Sequence, residues 1–488
     1  MSSERSSHRA RLRDIARRVM LERGLEPDFT PEARDLLARL EPPTDFRGAG
    51  DLRALPWCSI DNDDSHDLDQ LTFAEEPAAG RARVLVAIAD VEALVGAGDA
   101  IDAHARHNTT SVYTAAAIFP MLPERLSTDL TSLNPGEDRA AMVVELTVGA
   151  AGEVTDGGVY HAIVHNHAQL AYDGVAAWLD GDGPAPPLID AVPGLAGQLR
   201  LQDRVATLLE ESRREQGALD FETLESRPVF DGERLHDLPP ERRNRAKEII
   251  ENFMVAANGV TARFLEARRL PSIRRVVRSP KRWDRIVELA AALGEQLPNQ
   301  PDPRALQRFL LEQRATDPLR FPDLSLSVIK LLGAGEYALE RPGEEGPGHF
   351  GLAVKDYAHS TAPNRRYPDL VTQRLLKAAL TGAALPHSED DLAALAVHCT
   401  RKEDDANKVE RQVRKSAAAL LLEGRIGERF DGLVTGAAAK GTWVRILQPH
   451  VEGRLVEGAD GVDVGDRVRV RLVEVDVERG YIDFARRR

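Results

Sequence analysis

Val84-Leu85-Val86-Ala87-Ile88-Ala89 is an uninterrupted apolar run between Arg83 and Asp90. It is short, rich in β-branched residues and closed off by polar ones, so it reads as a buried strand. Met142–Val148 and Gly158–His165 read the same way. Further along the pattern changes period: between Ala246 and Arg268 the residues Ile249, Ile250, Phe253, Met254, Ala257, Val260, Phe264 and Leu265 fall at helical spacing. A second helix is predicted after Pro368 and a third from about Asp390 to Leu422. Sheet first and helices later indicates an α+β core rather than a doubly wound βαβ repeat. After Gly424 come the short segments FDGLVTG, GTWVRIL, VEGRLV and DRVRVRLVEVDVERGYIDFA, which predict a small closed barrel of OB type. Ahead of the sheet lie two helical patterns, 9–22 and 31–40. The expected division is a helical N-terminal module at 1–48, a catalytic core at 49–425 and a barrel at 426–488.

With 488 residues, 42% of them hydrophobic, the chain can bury a large core. The N-terminal stretch MSSERSSHRARLR has no apolar centre, and no run approaches the length of a membrane span, so a cytoplasmic protein that inserts in no membrane is expected. Cys58 and Cys399 are too isolated for a disulfide framework or a zinc finger. The net charge of -14 argues against a uniformly basic nucleic-acid surface. Arginine is nevertheless clustered, at 242, 243 and 245 and again at 268, 269, 274, 275, 278, 282 and 285. Such a cluster fits either an RNA channel or solvated helix faces. The basic first helix is likewise open to two readings, a helix-turn-helix touching nucleic acid or a helical cap.

The densest chemical signal is SIDNDDSHDLDQ at 59–70, with Asp61, Asp63, Asp64, Asp67 and Asp69 inside nine residues. Carboxylates this close repel one another unless cations or solvent separate them. An EF-hand loop fails here: its sixth position is His66 where glycine is needed, and its twelfth is Thr72 where a glutamate is needed. An acidic surface loop and a hard-cation site for Mg²⁺ or Mn²⁺ remain. The second suits two-metal phosphodiester hydrolysis, which also requires an arginine on the transition-state charge.

The Ser-Ile-Asp, five-residue gap, Asp-x-Asp pattern at 59–69 resembles the opening of the RNB catalytic domain in the ribonuclease II family. The similarity continues through VAIADV at 86–91, PMLP at 120–123, LST-DL-SL at 126–133, YDGV at 172–175 and HFGLAVKDYAHSTAPNRRYPDLVTQRLL at 349–376. The tail from Gly427 to Ala485 resembles an S1-type RNA-binding barrel. The resemblance implies that Asp61, Asp67 and Asp69 hold metal and water, with Gln70 at a position where the family usually has a fourth aspartate. It implies Arg365 as the transition-state arginine and Arg366 as a further RNA contact. Tyr113 matches the aromatic that clamps the 3′-terminal nucleotide, Glu410 its acidic partner, and Tyr172 a second nucleotide-contacting ring. Glu251 matches an acid that contacts a ribose 2′-hydroxyl, although Asn252 follows where relatives often have another acid. Relatives commonly carry two cold-shock barrels before the core. Here about 50 residues precede it, too few for one, so the helical module and the C-terminal barrel are expected to shape RNA access.

The function implied is hydrolytic 3′-to-5′ degradation of single-stranded RNA to nucleoside 5′-monophosphates, with Mg²⁺ or Mn²⁺ as cofactor, by a monomer. The rival is an RNA-binding regulator of the same fold that, lacking the fourth aspartate, does not cleave.

Overall fold

The computed structural model describes residues 7–43, 48–222, 228–239, 243–318, 320–438 and 441–486. Arg242 of the basic cluster and the first six residues of the N-terminal module lie outside them.

The run that opened the sequence reading is the strand Arg81–Ala89, and each residue from Val84 to Ala89 is at most 1% exposed. Its neighbours are Gln70–Ala78 and Asp138–Gly149, both antiparallel to it. The strand Val154–Ala171 is long enough to serve both ends of the sheet. Its first half pairs with Asp138–Gly149 and its second runs parallel to Trp57–Asp61, so the sheet rolls up on itself. The helix Arg245–Ala267 packs against this roll. It approaches so closely at Gly157 that a Cβ there would lie 2.8 Å from the Val260 side chain, which is why that strand position has no side chain. From the opposite side Met121, Leu122, Leu126 and Leu130 join the same core, together with Leu370 and Val371 of the helix Tyr367–Thr381. A strand covered on both faces has no polar face to alternate with, hence the unbroken apolar run.

Caps define the helices. Asn244 accepts hydrogen bonds from the amides of Ala246 and Lys247, which starts Arg245–Ala267. Ser388 caps Glu389–Leu422, whose first turn carries Glu389, Asp390 and Asp391, favourable charges at the positive end of a helix dipole. Tyr367–Thr381 begins one residue before Pro368, where the missing amide hydrogen costs no bond. Sequence reading did not single out four further helices, Leu195–Gln216, Trp283–Ala292, Pro303–Thr316 and Phe321–Leu332. The last three share a small separate core around Trp283, Phe309 and Phe321.

The C-terminal strands close into a five-stranded barrel, as expected of an OB-type domain. The first helix, His8–Glu22, buries Leu12, Ile15, Ala16, Val19 and Met20 in one apolar cluster with the long helix and the barrel. Arg11 pairs with Glu423 and Glu478, Arg18 with Glu22 and Glu478, and Arg17 with Asp28. The second helix, Pro31–Leu37, is shorter than the periodicity suggested. Among the described residues no helix is long and apolar enough to cross a membrane.

Candidate active site

The acidic stretch is the loop between Trp57–Asp61 and Gln70–Ala78. Asp61 folds it back locally, accepting from the Asn62 amide at 2.7 Å and the Ser65 hydroxyl at 2.9 Å. The Gln169 amide donates to the Ser65 carbonyl at 3.0 Å. Asp67 Oδ2 faces the Tyr113 hydroxyl at 3.2 Å. Asp69, 2% exposed, accepts the Asn364 amide on Oδ1 at 3.0 Å. Its Oδ2 lies 3.4 Å from Arg365 Nε and has no hydrogen-bond partner. Burial pushes the Asp69 carboxyl up to about 7 despite the Arg365 charge and the Asn364 amide, and burial raises Asp67 as well.

Backbone register explains why Tyr113 and Arg365 come to the same place. Helix Ala100–Asn108 ends at Thr109, which takes a left-handed φ of 63°. The chain then runs antiparallel to the arginine segment: Ser111 N–H donates to the Arg365 carbonyl at 3.0 Å, and Tyr367 N–H to the Thr109 carbonyl at 2.8 Å. Glu410 on the long helix accepts the Tyr113 amide at 2.8 Å, and the Tyr113 ring stays 39% exposed. Tyr172 follows Ala171, which pairs with Asp61, so this ring also borders the acidic loop. The Lys247 ammonium lies 5.7 Å from its centroid.

Two further expected site residues have surroundings of their own. Arg366 is held in a two-point pair by Asp369, at 2.9 and 2.7 Å, so its guanidinium secures the first turn of the following helix. Glu251 lines a neighbouring cavity of about 540 Å³ together with Arg213, Lys247, Phe221 and His349. Its neighbour Asn252 bonds to Arg213 and to the Glu248 carbonyl. Gln70 is buried at the start of its strand, opposite Ile88. Among the clustered arginines, Arg243 is paired with Asp220, Arg245 with Asp203, Arg274 with Glu340, Arg275 with Glu403 and Arg278 with Glu336, so these five are not a free basic stripe. Asn364, Arg213 and Phe221 were not singled out beforehand, and only Asn364 lay within a quoted motif.

Among the described residues no three of His, Cys, Asp and Glu converge closely enough to hold an ion alone. The donor set still fits a hard divalent cation. A buried carboxylate oxygen without a hydrogen-bond partner and a second carboxylate raised by burial share the Arg365 guanidinium, 3.4 Å from the first, and a divalent ion would supply further positive charge there. Mg²⁺ in particular uses one or two carboxylates and completes its shell with water and substrate phosphate.

Residues 49–382 match the RNB domain model. The chain belongs to the RNB family. Residues 428–487 match the RNase II-type exonuclease C-terminal S1 domain, which is the closed barrel following the RNB core. Among curated relatives, Ribonuclease R of Escherichia coli (strain K12) is 33% identical over 476 residues, covering 90% of this chain and 57% of that protein. Ribonuclease R of Aquifex aeolicus is 31% identical over 475 residues, covering 91% and 65%. This RNB chain thus spans about three-fifths of the length of the relatives it matches. Its fold is similar to that of Mycoplasma genitalium RNase R in complex with ribose methylated single-stranded RNA, with a TM-score of 0.87 at 23% identity, covering 97% of this chain and 77% of that one.

Proposed function

We propose that the chain is a divalent-metal-dependent 3′-to-5′ exoribonuclease that hydrolyses single-stranded RNA to nucleoside 5′-monophosphates. The observation that carries this reading is the buried Asp69 carboxylate, one oxygen without a hydrogen-bond partner, between Asp67 and Arg365. The names of the curated relatives support it, as does the RNA held by the similar solved structure.

Asp61, Asp67 and Asp69 would hold Mg²⁺ or Mn²⁺, with the Gln70 amide oxygen as a neutral donor. The ion supplies a water of lowered pKa and neutralises charge on the phosphoryl oxygens. Arg365 stabilises the charge that grows on the non-bridging oxygens as the leaving 3′-oxygen separates, and that oxygen takes its proton from solvent. The exposed Tyr113 ring stacks on the terminal base, while Glu410 fixes the backbone that carries it. Tyr172 contacts the next nucleotide. Glu251 accepts a ribose 2′-hydroxyl, which favours RNA over DNA. In this reading residues 1–48 cap the molecule, 49–425 form the catalytic unit and 426–488 bind RNA. The protein acts as a cytoplasmic monomer.

The test is a 5′-labelled oligo(A) incubated with the full chain, with Mg²⁺ or with a chelator. Shortening only with the metal, and much slower shortening by Arg365→Ala at nearly unchanged affinity, supports the assignment. Intact RNA with the wild-type chain at every metal concentration would leave the non-cleaving RNA binder as the correct reading.

A further inference from the structure

Thr131, Ser132 and Asn134 lie at the end of the LST-DL-SL motif or just beyond it, and none of the roles above uses them. The hydroxyls of Thr131, 4% exposed, and Ser132, 0% exposed, reach opposite halves of the site. Ser132 Oγ accepts the Leu68 amide at 3.0 Å and has its one hydrogen between the His66 carbonyl at 2.8 Å and the Asn134 amide oxygen at 2.9 Å, so one side chain touches the backbone on both sides of Asp67. Leu133 N–H donates to the Leu68 carbonyl at 3.0 Å, next to Asp69.

The Thr131 hydroxyl lies 2.8 Å from the Leu126 carbonyl and 2.6 Å from the Asn364 amide oxygen, yet it has one hydrogen to donate. Asn364 Nδ2 is buried without a partner. Turning that amide brings its NH₂ to the Thr131 oxygen and frees the hydroxyl hydrogen for Leu126, and leaves the amide oxygen rather than the NH₂ in the position without a partner. Asn364 then passes its placement on, donating its backbone N–H to Asp69 and preceding Arg365. The segment is itself tied to the rolled sheet. Arg139 donates to the Ser132 carbonyl at 3.2 Å and Asn166 to the Leu133 carbonyl at 2.8 Å.

We propose that Thr131 and Ser132 are positioning residues that hold the carboxylate loop and the arginine segment at a fixed separation. Ser132 sets Asp67 and Asp69, and Thr131 sets Asn364 and through it Arg365. The inference rests on the reading of this site as a divalent-metal nuclease. Reacting groups misplaced by about 1 Å lose on the order of a hundred-fold in rate, so a stiff bracket between the two halves matters to turnover.

The test uses the full chain carrying Ser132→Ala, Thr131→Val or Thr131→Ser. Mn²⁺ binding is titrated without RNA, RNA affinity is measured in chelator, and kcat and KM are measured with Mn²⁺ saturating. Ser132→Ala is expected to weaken Mn²⁺ binding about ten-fold, in the range seen when groups supporting metal ligands are removed. Thr131→Val is expected to keep Mn²⁺ binding and KM within about two-fold while kcat falls about ten-fold or more, and Thr131→Ser to restore kcat. Affinity for RNA in chelator should stay unchanged in all three. Wild-type Mn²⁺ binding in Ser132→Ala together with wild-type kcat in Thr131→Val would overturn the proposal, as would a Thr131→Ser enzyme as slow as Thr131→Val. If the wild-type chain leaves RNA intact, the nuclease reading fails, and the Mn²⁺ titration of Ser132→Ala still decides whether Ser132 positions the carboxylates.

Discussion

Asp69 carries opposite demands from stability and function. Its carboxyl is pushed up to about 7 by burial, so between the ordinary aspartate range and about pH 7 the folded metal-free protein holds a proton that the unfolded chain has released. Stability of the metal-free protein must therefore fall as pH rises through that window, by on the order of 4 kcal/mol for a shift of this size. Asp69→Asn removes the ionisable group. At about pH 8 the metal-free variant should melt higher than wild type, while at about pH 5 the two should melt together. Its cleavage should be abolished and its RNA binding retained. A variant that melts lower than wild type at the higher pH would contradict a carboxyl raised by burial. Gln70 poses the complementary question, because an amide oxygen ligates Mg²⁺ but brings no charge. Gln70→Asp should lower the metal concentration that gives half-maximal rate without changing the product. A metal-activation curve superimposable on wild type would remove Gln70 from the site.

The first helix is a structural member of the barrel's support. Leu12 is fully buried in the cluster it shares with the long helix and the barrel, so Leu12→Ala should cost about 2–5 kcal/mol in urea denaturation. A loss below about 0.5 kcal/mol, the level typical of surface positions, would show that the helix is not packed there. At this scale much was legible in the sequence. Val84–Ala89 and the helix Arg245–Ala267 announce themselves because burial on two faces, or on one broad stripe, leaves a strong period. The closure of the sheet was not legible, since the register between Asp138–Gly149 and Val154–Ala171 is a pairing that neither strand states alone. The helices Trp283–Ala292, Pro303–Thr316 and Phe321–Leu332 escaped because each buries only a few apolar residues in a small core. In the site, carboxylate density marked the loop with its five acids, and the family resemblance picked out Asp61, Asp67 and Asp69 among them. The pairing of Arg366 with Asp369 was not legible, because an acid one helical turn on looks like an ordinary first-turn acid. Thr131, Ser132 and Asn364 resemble ordinary turn formers until their buried partners are seen.

For the molecule as a whole, the barrel and the RNB core are not separable parts. Val413, Ala417 and Leu420 of the long helix belong to the same apolar cluster as the barrel interior, so deleting 427–488 would uncover them and confuse folding with binding. Point changes on the barrel's outer face avoid this. Arg467 and Arg469 are exposed on one strand, and Trp443 stands half-buried on another, between the inward-facing Thr442 and Val444. Arg467→Gln with Arg469→Gln should flatten the dependence of log affinity on log salt by about 1.4, and Trp443→Ala should weaken binding by about 1–3 kcal/mol, both measured in chelator. Unchanged affinity and slope would place the RNA elsewhere. Local placement matters more than the net charge of -14, because affinity for RNA depends on the charges that face it. The most direct measurement follows an RNA labelled on its 3′-terminal nucleotide through the first turnover with Mg²⁺. Release of the label as a nucleoside 5′-monophosphate before any shorter labelled fragment is the predicted result. Labelled oligonucleotides from internal cuts, or a label that stays on full-length RNA, would contradict it.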